Sequence, residues 1–217
     1  MKVIDLSSKN SLLGNFIAQI RDKKIQKDPA RFRLNLERVG EIFAYEISKT
    51  LNYSVKEVTT PLGISEVSTC DDRIVAATIL RAGLPLHIGI TNFFTDAGSA
   101  FIAAYRKYDK GGGFQIKVEY CTCPSIEGKV LIMTDAMLAT GISIEECYNR
   151  LCENGKPAAT HIVCPVSCVQ AIDMLKKSLP DKNITLWTAG IDEELTTKGY
   201  IIPGLGDAGD LAYGDKD

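Results

Sequence analysis

Asp135 is the residue from which chemistry is most readily built. It ends the apolar run Val130-Leu-Ile-Met133-Thr134, which reads as a buried strand of a parallel sheet. Downstream lies Ala139-Thr140-Gly141-Ile142-Ser143, small and rich in hydroxyls, with Ser143 placed to cap a helix starting at Ile144. Strand, acid, hydroxyl-and-glycine turn and helix aim backbone N–H groups and a positive helix end at one point, which suits a phosphate. The acid beside that point can hold ribose hydroxyls, directly or through a magnesium ion and its waters. The same pattern is also ordinary α/β punctuation with no ligand. Gly-x-x-x-x-Gly-Lys-Ser/Thr is absent, and no Gly-x-Gly-x-x-Gly follows this strand.

Three further groups can meet a ligand. Arg81 follows an apolar strand over 73–80 and precedes Gly83, the place where open α/β sheets bind ligands; a surface arginine closing a strand looks the same. Arg106-Lys107-Tyr-Asp-Lys110-Gly-Gly-Gly113 sets three basic residues beside three glycines between strands over 99–105 and 114–121. It reads either as a solvated hairpin tip or as a mobile arm that closes over an anion. In the tail, Lys198-Gly-Tyr-Ile-Ile-Pro-Gly-Leu-Gly-Asp-Ala-Gly-Asp210 is too broken by glycine and proline for a regular helix or a good strand. Its bare backbone suits a flat ligand with edge donors and acceptors. His87 and His161 read as packed or solvated.

Two of these stretches resemble a known family. Asp135-x-Met137-Leu138-Ala139-Thr140-Gly141-x-Ser143 resembles the phosphoribosyl-pyrophosphate (PRPP) loop of uracil phosphoribosyltransferases, and 198–210 is nearly a full match to their uracil-binding hood. Ile79-Leu-Arg-Ala-Gly-Leu84 follows the same pattern. The loop departs where Ala136 stands for the usual proline and Ile142 for the usual glycine, and 166–169 departs from the usual Pro-Glu-Gly. A single acid at Asp135, where purine and orotate relatives carry two, favours the uracil branch.

The resemblance implies a type I phosphoribosyltransferase fold: a mostly parallel sheet flanked by helices, with a C-terminal hood and a β-hairpin arm. It implies transfer of phosphoribosyl from PRPP to uracil, giving UMP and pyrophosphate, with Mg2+ held through PRPP and water rather than by a direct protein site. Arg81, Arg106, Asp135 through Ser143 and Asp207 would bind PRPP, including the backbone of Ala136 and Ile142. Ile201, Gly206, Asp207 and Ala208 would read uracil, and Asp135, Asp207 and Arg106 would carry the catalysis. The alternatives are a PRPP- or nucleotide-sensing RNA-binding regulator on the same fold, or a transferase for another base.

The elements that must position these residues fit one domain. At 217 residues the chain suits a single α/β unit, with N-terminal helices over 10–51, a core over 70–190 and a hood over 191–217. Leu12, Leu13, Phe16, Ile17 and Ile20 share one helical face, and Asp28-Pro29 opens a second helix carrying Phe32, Leu36, Val39, Phe43 and Ile47. Runs over 54–60 and 64–69, split by Pro61-Leu62-Gly63, predict a β-hairpin whose apolar residues join the core. A net charge of −2 without a basic block argues against a nucleic-acid partner, and no uncharged run is long enough to span a membrane. Seven cysteines without Cys-x-x-Cys, and a start lacking a signal-peptide apolar region, lead us to expect reduced thiols in the cytoplasm. A homo-oligomer is also expected.

Overall fold

The computed structural model describes residues 1–108 and 114–215; the side chains of 105–117 lie outside that description. Strand β1 (Lys2–Asp5) precedes helices α1 (Leu13–Arg21) and α2 (Pro29–Ser48). Next come β2 (Tyr53–Thr60), β3 (Gly63–Cys70), β4 (Ile74–Leu80), α3 (Leu84–Phe93), β5 (Gly98–Tyr108) and β6 (Phe114–Thr122). The centre of the chain supplies β7 (Val130–Thr134), β8 (Met137–Leu138) and α4 (Ile142–Cys152). Then β9 (Ala159–Val163), β10 (Val166–Cys168), α5 (Val169–Ser178) and β11 (Ile184–Thr188) follow. The tail holds β12 (Ile191–Asp192), β13 (Glu194–Leu195), β14 (Ile201–Ile202) and α6 (Ala208–Tyr213).

Seven strands form the main sheet in the order β1-β11-β9-β7-β4-β5-β6, parallel throughout except for the β5–β6 pair. Strands covered on both faces must be apolar on both faces, and β7 is: Val130 through Met133 are at most 4% exposed. The expected helical faces bury Leu13, Ile17 and Ile20 on α1 and Phe32, Leu36, Val39, Phe43 and Ile47 on α2; Leu12, expected on the first face, instead precedes α1 and is 69% exposed, and Phe16 is half-buried. Asp28 caps α2 by accepting from the N–H groups of Ala30 and Arg31, with Pro29 at the first helical position.

Three expectations need correction. The β2–β3 hairpin forms in the expected register, from Tyr53 opposite Cys70 to Thr60 opposite Gly63. Its apolar residues are not core, however; Val55 and Ile64 are 64% and 70% exposed, and among the described residues β2 and β3 form a separate two-stranded sheet. Ser143 does not cap α4: the helix starts at Ile142, and Gly141 takes the capping position at φ 85°. Glycine turns the chain there through left-handed backbone, so the helix begins two residues early. In the tail, 208–213 is helical after all. Asp207 accepts from the Asp210 N–H as its cap, which offsets the glycine content of that turn.

Candidate functional site

Strands β4, β5 and β7 end on one side of the sheet, and their carboxyl ends open into a cleft of about 610 Å³. Thr134 closes β7, its hydroxyl donating to the Ala77 carbonyl at 3.2 Å, so the two central strands finish level. Gly83 lies against this joint; a Cβ there would come within 2.6 Å of the Thr134 carbonyl and of the Thr78 hydroxyl. The turn that carries Arg81 therefore sits directly on the end of β7. The Leu80–Arg81 peptide is cis.

After β7 the chain does not run free. Asp135 donates its N–H to the Val163 carbonyl at 3.1 Å. Met137 and Leu138 then pair in parallel with Val166 and Ser167 of β10, which pairs on its other side with β12. This small three-stranded sheet holds the loop from behind through backbone bonds. Here 166–168 contributes to the loop through main-chain pairing, with the side chains of Val166, Ser167 and Cys168 fully buried. Ala136 is fully buried at the turn.

Beyond Leu138 the chain turns at Gly141, and α4 points its amino end into the cleft, with Gly141 and Ser143 on the wall. Ile142 adopts negative φ and is half-buried, and it is not part of the cleft lining. The β-branched residue thus leaves the helix amides accessible. The first-turn N–H groups and the positive end of an eleven-residue helix can hold a phosphate.

Asp135 lies half-buried on the cleft floor. Burial pushes its carboxyl up to about 7, against the opposing effect of hydrogen bonds from the Ala136 and Met137 N–H groups. Arg81 faces it from the end of β4. Its Nη2 lies 2.8 Å from Asp210 Oδ1, and its Nη1 donates to the Gly214 carbonyl at 3.2 Å. Asp207 and Ala208 complete the wall from the tail.

The cleft thus gathers Arg81, Asp135 to Gly141, Ser143, Asp207 and Ala208. Ile201 is buried at 5% exposure and packs into the core, while Gly206 is exposed at φ 95°; neither forms part of the lining. Arg106 pairs through its backbone with Ile116 inside β5–β6 rather than on a loop, whereas its side chain and the 109–113 tip lie outside the described residues. Glu119, Tyr200 and Gly209 line the cleft and were not singled out from the sequence. Tyr200 lies inside the tail motif, which was signal enough; Glu119 on β6 carried none.

A parallel sheet with a helix end, an acid and an arginine at its carboxyl edge, closed by a glycine-rich tail, is the arrangement of the phosphoribosyltransferase class. The solved hypoxanthine phosphoribosyltransferase of Staphylococcus aureus shares the fold, with a TM-score of 0.50 at 12% identity over 74% of each chain. The AQ2163 protein of Aquifex aeolicus superposes far more fully, with a TM-score of 0.86 at 26% identity over 98% of each chain. The uracil phosphoribosyltransferase family model matches residues 7–215, and the curated uracil phosphoribosyltransferase of Porphyromonas gingivalis is 50% identical over 100% of both chains. The chain belongs to the uracil phosphoribosyltransferase family.

Proposed function

We propose that this cleft transfers the phosphoribosyl group of PRPP to N1 of uracil, forming UMP and releasing pyrophosphate. The observation that carries the reading is the convergence of the α4 amino end, Asp135 and Arg81 with the Asp207–Ala208 backbone on a single cleft. The C1′–oxygen bond to pyrophosphate breaks, the C1′–N1 bond forms, and N1 gives up its proton. Bond breaking that runs ahead of bond making leaves positive charge on the ribose, so the protein contributes positioning and charge stabilisation. No protein nucleophile is required.

The residues divide the substrate between them. The amides and hydroxyls of 139–143, at the head of α4, take the 5′-phosphate, and Asp135 orients the ribose hydroxyls. Arg81 and Arg106 neutralise the departing pyrophosphate. Asp207 faces PRPP, and the backbone of Gly206 and Ala208 reads the base, with Ile201 packed beneath it. The hood spans 191–217.

Two carboxylates on one cleft, with the remaining ligands left to substrate oxygens and water, fit magnesium, which prefers hard oxygen donors and keeps much of its hydration. Asp135 and Asp207 would hold it through PRPP and water. Magnesium bound there would neutralise charge on the pyrophosphate.

The exposed apolar faces of the β2–β3 arm support assembly into a homo-oligomer. The thiol-rich composition, three of the seven cysteines being fully buried, supports residence in the cytoplasm. No helix among the described residues is long and apolar enough to cross a membrane. The deciding experiment mixes the protein with PRPP, magnesium and a panel of bases and measures pyrophosphate. Release with uracil alone is expected; release with a purine and not with uracil refutes the assignment.

A further inference from the structure

The tail that closes the cleft is held from outside by three polar side chains that belong to none of the motifs. Arg21, at the end of α1, grips Asp192 with both guanidinium nitrogens, Nη1 to Oδ2 at 2.8 Å and Nη2 to Oδ1 at 3.1 Å. The same Nη1 donates to the Gly204 carbonyl at 3.2 Å, and Asp192 Oδ2 accepts the Gly204 N–H at 3.0 Å. Gln26 donates from Nε2 to the Leu205 carbonyl at 3.1 Å. Asp192 and Gln26 are each 9% exposed, and a Cβ at Gly190 would press to 2.7 Å from Arg21 Nη2.

Counted group by group, the arrangement is selective. Both backbone polar groups of Gly204 and the carbonyl of Leu205 are taken up by the clamp. No hydrogen bond reaches the Gly206 carbonyl among the described residues, and Ala208 supplies the first N–H of α6. A reader made of backbone distinguishes ligands only by which group stands where, so a one-residue slip would exchange acceptor for donor. Asp192 also sits on β12, which pairs with β10, which pairs with β8 directly before the 139–143 turn. The clamp thus acts on the tail side of this small sheet, whereas the chain leading to 139–143 is held by the backbone pairing of β8 with β10.

We propose that Arg21, Asp192 and Gln26 are positioning residues that hold the 204–208 backbone in register for the base. The inference rests on the uracil reading given above. A bidentate guanidinium–carboxylate pair resists rotation in a way a lysine cannot reproduce. A small displacement of a reading group costs steeply in rate, which is why the clamp matters even without touching substrate.

Two variants test this: Arg21→Lys keeps the charge and loses the fork, and Gln26→Met keeps the length and loses the donor. Each should raise the KM for uracil about tenfold, the loss of roughly one hydrogen bond, and reduce discrimination against cytosine. The KM for PRPP should rise by a clearly smaller factor than that for uracil, about threefold at most, since Asp207 lies in the clamped stretch while Arg81 and the 139–143 turn are held by other elements. Hydrogen exchange should accelerate at 204–209 and remain unchanged at 139–143 in both variants. If uracil and PRPP constants move together, or not at all while the melting temperature falls, the residues are merely structural and the proposal is overturned. Wild-type protein inactive with uracil would sink the functional reading instead; unchanged exchange at 204–209 would then overturn the clamp on its own.

Discussion

Arg81 reaches across the mouth of the cleft to Asp210, Nη2 to Oδ1 at 2.8 Å, and so ties the end of β4 to the first turn of α6. The side chains are 38% and 30% exposed, so the pair adds less than about 1 kcal/mol to stability. Its interest is competition: an anion drawn to Arg81 must share or displace Asp210. If Ala208 reads the base as proposed, pyrophosphate at Arg81 and the base at Ala208 would bear on one helix.

The first prediction follows from that pair. Arg81→Ala should weaken PRPP binding by about ten- to a hundredfold, as expected for hydrogen bonds to a charged ligand. Asp210→Asn should act the other way, tightening PRPP by no more than about fivefold. Arg106→Ala should lower turnover at least as much as affinity if the β5–β6 arm closes over the pyrophosphate. Equilibrium binding and steady-state rates measure these effects. Unchanged constants for both arginine variants would return them to the solvated surface.

Asp135 makes the second, through pH. Its carboxyl is raised to about 7 in the fold, well above the unfolded value of about 4. The folded state therefore holds the proton more tightly. This contribution to stability is greatest at low pH and declines as pH rises from about 4 to about 7. Activity should run the opposite way, because the ionised carboxylate accepts from two ribose hydroxyls at once and more strongly than the neutral acid does. The kcat/KM for PRPP should rise through about 7 and then level off, the limb reporting the free enzyme. Asp135→Asn should abolish that limb, depress activity at all pH values, and raise the melting temperature at pH 8 more than at pH 5. A persistent limb in the variant would assign it to another group.

Gly141 provides the third. Its φ of 85° is left-handed, and an added Cβ would also meet the flexible end of Met174 at 2.5 Å. Gly141→Ala should cost roughly 1–2 kcal/mol of stability from backbone strain and should weaken PRPP binding as well. Gly128, at φ 65° with open space around it, is the control. Its alanine variant should show similar strain in urea unfolding with no change in the KM for PRPP. Equal PRPP effects in both would mean that the 139–143 turn has no special part in binding.

Much of this site was legible because its signals are local. The all-apolar β7, the acid at its end and the glycine turn follow one another within fourteen residues, 130–143. Helical spacing alone located the buried faces of α1 and α2. What stayed hidden was set by tertiary partners. Arg21 and Asp192 are 171 positions apart, and each alone looks like an ordinary surface charge. The β2–β3 hairpin has the alternation of a half-buried sheet, yet its apolar side chains stand exposed among the described residues. The Ser143 cap was displaced because Gly141 turns the backbone first. The helix at 208–213 was masked by glycines whose cost is offset by the Asp207 cap.

Base choice gives the last prediction. Uracil offers a donor at N3 and an acceptor at O4; cytosine presents an acceptor at N3 and a donor at the 4-position. If the Gly206 carbonyl takes the N3 proton and the Ala208 N–H meets O4, cytosine faces two mismatched pairs. At roughly 1–3 kcal/mol for each mismatch, discrimination should be at least about thirtyfold in kcat/KM. The place of Ala208 sharpens the test, since it is the first residue of α6. Proline is well accepted at that helical position, where the N–H has no partner within the helix. Ala208→Pro should therefore keep the fold and its melting temperature while abolishing uracil use. Ala208→Ser retains the N–H and should retain most of the activity. A folded proline variant that still makes UMP at the wild-type rate would remove Ala208 from the base site.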